Sequence, residues 1–341
     1  MAIIFIFLLC ICIGLNDNIV IAQALAPETL FRIDFSTDNG GGCSTVGRAR
    51  IQTMLNEALD LARIGVQLVD HYDSEAESNR LLDIFVRGNT QAHRSSFKGN
   101  YELVRDFLAS NQNIPPGGQP YLFCSDTWLE RNTMKSEAKD TEGNSFPKGD
   151  LSGLPALIED VPDYLEVRRQ SAGKTPYWSP KHNQYLFDYS YGPGRGYCYN
   201  TNHKGVTSHL ILPASITLCP VIFQTSVALG SIAMNPLASQ LIPAQPQNIP
   251  NNAQRLSQIL PDSTTLFHEL FHLIMGNQRS YPNRPGGELY EVVDMGGLTP
   301  DQALANPETY AAVAVAYWHT RNVAPVGGNR VEFYGFFATR D

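Results

Sequence analysis

The residues best suited to chemistry lie in one short segment, His268-Glu269-Leu270-Phe271-His272. On an α-helix, two histidines four residues apart leave the same face, one turn above the other. At that separation both imidazoles can bind one tetrahedral zinc ion. Glu269 lies about 100° around the helix from His268, where its carboxylate can reach a water on the metal without being a ligand. The spacing therefore predicts a zinc site with Glu269 as its catalytic base.

The residues around this motif predict the helix that the spacing requires. Asp262 or Ser263 can cap its start, and Gly276 can end it in a left-handed turn. The apolar residues between these ends predict a helix buried on more than one side. A glutamate between two histidines in such a helix is costly to bury without a partner. A metal site is therefore favoured over the alternative of two hydrogen-bonded core histidines beside a surface glutamate.

A catalytic zinc ion usually has three protein ligands and one open position, so one ligand must come from outside the motif. The extended motif that continues with Gly and His is excluded, because Met275 and Gln278 occupy those positions. The remaining candidates are carboxylates: Glu288, Glu291, Asp294 and Glu308. Glu288 follows two glycines that can turn the chain back beneath the helix, and Glu308 starts a predicted helix over residues 307–319. The residues alone leave this choice open.

The N-terminus predicts export. Residues 2–15 form an apolar run that is shorter than the roughly 20 residues needed to span a membrane. A small-x-small site at residues 22–24 predicts cleavage before Leu25. We therefore expect residues 1–24 to be a signal peptide, and residues 25–341 to be one secreted domain without a membrane anchor. The polar segment 243–254 is predicted to be a loop inside that domain rather than a linker.

The cysteines predict disulfides rather than a metal site. Removal of the leader leaves four of the six, Cys43, Cys124, Cys198 and Cys219. An even number in an exported chain indicates two disulfides, for which three pairings exist. Pairing in sequence order is the simplest. No two of these four have the Cys-x-x-Cys spacing of zinc ligands.

Composition excludes several function classes. The chain has 341 residues, of which 43% are hydrophobic and 17% charged, and a formal net charge of −8. A disordered chain would have less apolar and more charged sequence. A nucleic-acid binder usually has a basic surplus, which is absent here. We therefore expect no nucleic-acid partner.

The periodicity predicts an α+β, helix-rich fold. Residues 46–70 have apolar side chains at three- and four-residue steps, which indicates a long helix, and shorter helical segments are predicted at 81–86 and 103–108. Aromatic and branched runs at 121–124, 185–189 and 209–212 predict strands. These strands are expected to form a small twisted sheet that packs against the long helix and the motif helix. Residues 140–153 and 189–202 are predicted to be loops.

Several segments together resemble the deuterolysin (aspzincin) family of fungal secreted zinc endopeptidases, which includes lysine-specific enzymes. The resemblance rests on the His268–His272 motif, on Ile216-Thr217-Leu218-Cys219-Pro220, and on residues 303–311, which are similar to the family's late helix. The long separation of Cys43 from Cys124 and the short one of Cys198 from Cys219 are similar to the family's disulfide loops. The resemblance implies a zincin-like metalloprotease fold.

The family's third ligand is an aspartate in a Gly-Thr-x-Asp-x-x-Tyr-Gly segment. The matching region here is residues 286–291, in which the threonine is absent and Glu288 precedes Tyr290 by two residues instead of three. The resemblance thus implies Glu288 as the third ligand and a Tyr290 hydroxyl that hydrogen-bonds the substrate oxyanion. The alternative for Tyr290 is a packed core tyrosine.

The predicted function is that of a secreted endopeptidase with one catalytic Zn²⁺, in which Glu269 is the general base for a zinc-activated water. We expect a monomer whose partners are protein or peptide substrates, and an extended substrate would pair with a sheet edge. The main alternative is a secreted zinc-binding surface or allergen-like protein that has lost catalysis. A structural zinc site is less favoured, because such sites close all four positions with Cys or His.

Overall fold

The computed structural model describes residues 23–87, 90–149, 153–170, 173–192, 196–199, 203–224, 227–230, 255–323, 331–334 and 336–340. The predicted signal peptide, except for its last two residues, lies outside these ranges. The predicted loop at 243–254 also lies outside them. Among the described residues, none of the helices contains an apolar stretch long enough to cross a bilayer.

Helices make up most of the regular structure. They are α1 (Pro27–Leu30), α2 (Arg48–Asp70), α3 (Ala76–Phe85), α4 (Gln91–Ser110), α5 (Pro162–Gln170), α6 (Ser263–Met275), α7 (Val292–Met295), α8 (Pro300–Leu304) and α9 (Pro307–Asn322). The long helix α2, the motif helix α6 and the late helix α9 confirm three of the sequence predictions. The segment predicted at 103–108 is only the end of α4, whose first half is too polar to show the apolar period.

The strands form small separate sheets. They are β1 (Tyr121–Phe123), β2 (Glu130–Arg131), β3 (Thr175–Ser179), β4 (Gln184–Asp188), β5 (Gly205–Ser208), β6 (Ser215–Leu218), β7 (Val331–Tyr334) and β8 (Phe337–Arg340). In one sheet β6 pairs in parallel with β1 and antiparallel with β5, which leaves β5 at an edge. A second sheet has the antiparallel order β2-β3-β4, and β7 pairs with β8.

The prediction of one small sheet is therefore only partly right, although the helix-rich α+β class is confirmed. The strand predicted at 209–212 is wrong. Its apolar residues lie in the connection between β5 and β6, where Leu210 and Leu212 are about half exposed, at 47% and 49%. Pro213, which has no amide hydrogen to donate, ends this connection just before β6.

The two disulfides pair in sequence order, Cys43 with Cys124 and Cys198 with Cys219. The first joins the turn before α2 to the end of β1, and the second joins residues 196–199 to the end of β6. This pairing confirms the simplest of the three alternatives. Two disulfides are consistent with an exported protein.

The core surrounds α6. This helix packs against α2, α4 and α9 on one side and against β5 and β6 on another. Phe271 of α6 stacks on Tyr310 of α9 with ring centroids 4.3 Å apart, and Tyr101 of α4 meets Phe271 edge-on at 5.7 Å. The Tyr101 hydroxyl donates to the Tyr310 carbonyl at 2.8 Å. Burying each of these rings contributes about 1.5–3 kcal/mol, which fixes the position of α6.

His319 of α9 is a buried titratable residue far along the helix from this aromatic core. It is only 1% exposed, it lies against Trp318 and Phe333, and neither ring nitrogen has a hydrogen-bond partner among the described residues. Burial lowers the pKa of this imidazole to about 4. The native state therefore takes up its proton only near pH 4, whereas the unfolded chain does so near pH 6.5.

We expect His319 to destabilise the protein as the pH falls from about 6.5 to about 4. Over that window the unfolded chain binds a proton that the native state does not, so the free energy of unfolding falls by roughly 3 kcal/mol. Urea unfolding of the wild type and of His319→Leu at pH 7 and pH 4.5 measures this contribution. The wild type should lose more stability than the variant, and equal losses would contradict the assignment.

Candidate metal centre

The two histidines of the motif lie side by side on α6. They follow Phe267 and Phe271 by one residue each, so they project about 100° around the helix from these packed rings. Their Nε2 atoms are 3.1 Å apart, and the residues are 5% and 2% exposed. The helix ends beyond them at Gly276, whose φ of 74° is one that glycine adopts without strain. The predicted helix and its face are confirmed.

Glu288 brings a carboxylate to this histidine pair from the segment between α6 and α7. Its Oε1 lies 2.9 Å from His272 Nε2, and its Oε2 lies 3.7 Å from His268 Nε2. Ligand atoms on a tetrahedral metal ion with bonds of about 2.0–2.2 Å are about 3.3–3.6 Å apart, close to these separations. Among the described residues, His268, His272 and Glu288 are the group whose atoms converge in this way.

The outer ring nitrogens fix the orientation of both imidazoles. His268 Nδ1 lies 2.9 Å from a carboxylate oxygen of Glu308, which can only accept, so Nδ1 carries the hydrogen. His272 Nδ1 lies 2.8 Å from the Ser280 hydroxyl, which itself donates to the Gly276 carbonyl at 2.9 Å. This network assigns the hydrogen of His272 to Nδ1 as well. Both Nε2 lone pairs therefore face the space beside Glu288.

This arrangement fits a metal ion. When both rings are neutral, two imidazole lone pairs and a carboxylate meet without a hydrogen between them, and such a set repels unless a metal ion or an added proton joins it. Glu288 Oε1 is buried and has no hydrogen-bond partner among the described residues, despite its closeness to His272. Hydrogen-bonded outer nitrogens are also what metal-binding histidines normally have. The buried group can thus bind a metal ion.

The pKa shifts of His268 and Glu288 also indicate that this site stabilises a positive charge. Burial opposes a charge on His268, but the neighbouring carboxylates of Glu288 and Glu308 outweigh it and raise its pKa well above the ordinary value. Burial likewise opposes a charge on Glu288, yet the two imidazoles hold its pKa far below the usual range. The site therefore favours an anionic carboxylate facing a cation.

Glu269 lies beside the metal group without belonging to it. Its Oε2 accepts a hydrogen bond of 2.7 Å from the Thr207 hydroxyl of β5. Gly205 of the same strand faces it, and a Cβ there would come within 2.9 Å of Glu269 Cγ and Oε1. The missing side chain of Gly205 thus makes room for the carboxylate, and Thr207 fixes its direction. Its charge also contributes to the raised pKa of His268.

Tyr290 and Tyr281 cover the two imidazole rings. Tyr290 is 64% exposed, but its hydroxyl turns inward and donates to Glu288 Oε2 at 2.7 Å, and its ring lies over His268. Tyr281 stacks on His272 with ring centroids 4.7 Å apart. Burial of the hydroxyl and the Glu288 charge raise the pKa of Tyr290, which keeps it protonated. Its contact with a substrate oxyanion stays a prediction.

The structure separates the four candidate carboxylates. Glu288 joins the histidines, and Glu308 touches His268 on the outer nitrogen. Glu291 and Asp294 are exposed and lie outside the converging group. The positions of Glu288 and Tyr290 are thus compatible with the ligand and oxyanion roles that the family resemblance implies, and both roles stay predictions.

Three supporting residues escaped the sequence analysis: Ser280, Thr207 and Asn306. His209 also supports the site, because its Nε2 donates to the His272 carbonyl at 3.0 Å. Ser280 carries no local signal, because a serine in a polar segment is ordinary. Thr207 was missed because the strand was placed at 209–212, directly after the end of β5. Asn306 precedes Pro307 and looks like a helix start, which hides its second role.

Comparison of the chain with protein-family models, with curated proteins and with solved structures gives no match. The deuterolysin resemblance therefore rests on the short segments quoted above. Function has to be argued from the geometry and chemistry of the site.

Proposed function

We propose that this chain is a secreted zinc endopeptidase of zincin-like, deuterolysin-like type. The observation that carries the proposal is the position of Glu269. It is a buried carboxylate next to a His-His-Glu group, yet it is oriented by Thr207 rather than used as a fourth ligand. A site that only stores or uses a metal for stability has no need of such a residue. A hydrolytic site needs one as its general base.

Zinc is the ion that this donor set suits best. Two imidazole nitrogens and one carboxylate oxygen are the three protein ligands of one class of catalytic zinc site, which keeps a fourth position open. Harder ions such as Ca²⁺ and Mg²⁺ prefer oxygen ligands. Zinc, when bound here, would lower the pKa of a water toward about 7 and polarise a peptide carbonyl.

Glu269 then performs the proton transfers of the reaction. Its carboxylate accepts a proton from the attacking water and passes it to the leaving amine. Thr207 keeps one of its oxygens occupied, so the other, Oε1, is the one available for this proton. A base that is already oriented does not have to be ordered in the transition state. Tyr290 supplies a neutral hydroxyl beside the ligand carboxylate, and this hydroxyl can donate to a developing oxyanion when it turns away from Glu288 Oε2.

Strand β5 is the element that would bind the substrate. It is an edge strand, and Thr207 links it directly to Glu269. An extended peptide that adds to this edge uses main-chain hydrogen bonds, so it binds independently of most of its side chains. Such pairing would place a scissile bond next to the base. This geometry supports the proposal of protein and peptide substrates, and the proposed reaction needs no covalent adduct.

Metal removal tests the proposal. The protein purified from culture medium should contain about one zinc per chain and cleave casein. We expect 1,10-phenanthroline to abolish cleavage and added Zn²⁺ to restore it, whereas the non-chelating isomer 1,7-phenanthroline should have no effect. Folded, zinc-loaded protein that cleaves no peptide would favour the zinc-binding alternative. Full cleavage by the metal-free protein would reject the proposed chemistry.

A further inference from the structure

We propose that Asn306, at the start of α9, is a positioning residue that holds Glu288 in its metal-binding place. The inference rests on the proposed metal site and adds a residue to it. Asn306 lies 17 residues along the chain from Leu289 and is completely buried. Nothing in its local sequence sets it apart from an ordinary helix-start asparagine.

The Asn306 side chain forms a two-point contact with the main chain of Leu289. Its Oδ1 accepts from the Leu289 amide at 2.9 Å, and its Nδ2 donates to the Leu289 carbonyl at 3.1 Å. The second Nδ2 hydrogen goes to the Thr309 hydroxyl at 3.0 Å. Donor and acceptor each face the right partner, so the amide has one orientation. These two bonds fix the positions of the peptide units on both sides of Leu289.

Leu289 is the residue at which such a contact controls the site. It lies between Glu288, which meets the histidines, and Tyr290, whose hydroxyl binds the Glu288 carboxylate. Among the described residues, no main-chain hydrogen bond to another main-chain group holds residues 288–290. The preceding glycines turn the chain with φ of 85° at Gly286 and 68° at Gly287, but glycines restrict it little. Asn306 thus supplies the restraint that neither a helix nor a sheet provides.

The usual role of an asparagine at this position does not account for the contact. An N-cap asparagine normally accepts from an amide of the first helical turn through its side chain. Here the main-chain carbonyl of Asn306 accepts from the Thr309 amide at 2.9 Å, and the side chain makes no such cap. The side-chain amide therefore forms its hydrogen bonds with Leu289 and with Thr309 Oγ1.

The same turn of α9 also holds the other side of the site. Glu308, two residues after Asn306, accepts from His268 Nδ1 at 2.9 Å. Helix α9 is anchored in the core through Tyr310, which stacks on Phe271 of α6. One rigid helix start therefore sets the distance between His268 and Glu288.

Metal affinity of Asn306→Ala tests this inference, with Thr309→Val as the matched control. Thr309→Val removes the acceptor of the third Asn306 bond but leaves both bonds to Leu289. Zinc affinity is measured by chelator competition, the visible spectrum of the Co²⁺-loaded protein reports ligand geometry, and the Tm of the metal-free protein reports folding. We expect Asn306→Ala to weaken zinc binding by about 10–100-fold and to change the Co²⁺ spectrum. Thr309→Val should bind zinc within about twofold of the wild type.

Asn306→Asp is the second variant, for the case in which the alanine variant does not fold. It keeps the size and the acceptor for the Leu289 amide but loses both donors, so it should also bind zinc more weakly than Thr309→Val does. Wild-type affinity in the folded asparagine variants would overturn the inference. A wild type that binds zinc but cleaves no peptide would reject only the proposed function. A wild type without zinc affinity would reject both.

Discussion

Glu269→Gln will abolish peptide hydrolysis and leave the metal in place. Glutamine keeps the shape of glutamate and an oxygen that can accept from Thr207, but it cannot take a proton from water. Loss of a general base lowers the rate by roughly 10²–10⁴-fold. Because Glu269 lies outside the His268, His272 and Glu288 group, zinc content should stay at one ion per chain. Cleavage of a fluorogenic peptide and elemental analysis of the same sample measure both quantities.

Glu291→Gln is the control for this substitution. Glu291 is an exposed carboxylate of the same region, and it is not among the converging groups. Its variant should keep both the zinc and the rate. A Glu269→Gln protein with more than about a tenth of the wild-type rate would exclude the base role. A variant that loses its zinc would instead make Glu269 a ligand.

The local part of the site could be predicted from the sequence. Helix periodicity alone places His268 and His272 on one face and Glu269 off that face, because the relation among these residues is set within one turn. The apolar residues around them ensured that this turn would be buried and rigid. The number of disulfides follows from the even cysteine count, and pairing in sequence order is the simplest of the three alternatives. The long helix α2 is also predicted correctly, because it depends on an uninterrupted apolar period.

The non-local part could not be predicted in the same way. Glu288, Glu291, Asp294 and Glu308 are chemically equivalent candidates in the sequence, and only tertiary structure decides among them. Glu288 enters the site because a glycine turn and the contact of Asn306 with Leu289 bring its segment back to α6. That restraint acts across 17 residues, and no periodic pattern records it.

The misplaced strand shows the same limit. Residues 209–212 contain three consecutive apolar residues, as a buried strand does, but β5 precedes them and β6 follows them. Strand pairing is decided by the partner, and Thr207 pairs opposite Ile216. Because the strand was predicted too late in the chain, the contact between Thr207 and Glu269 could not be inferred. The same misplacement also hid the role of Gly205, whose lack of a side chain is useful only because α6 lies against it.

We expect the loss of zinc affinity in three alanine variants to depend on what each replaced carboxylate contacts. Glu288→Ala removes a ligand, so its loss should exceed the 10–100-fold range that is typical of outer contacts. Glu308→Ala removes the acceptor for His268 Nδ1 and lets that ring rotate, so its loss should fall within about 10–100-fold. Asp294→Ala, at an exposed position, should bind zinc as the wild type does.

Chelator competition on the three purified variants gives this order, and the Co²⁺ spectrum separates its causes. Only Glu288→Ala changes the number of protein ligands, so only this variant should show the spectrum of a site in which solvent replaces a carboxylate. Glu308→Ala should keep the ligand number and lose affinity through a less well-oriented imidazole. A larger loss in Glu308→Ala than in Glu288→Ala would reverse the two roles and make Glu308 the ligand. Equal affinity of Glu288→Ala and Asp294→Ala would remove Glu288 from the site.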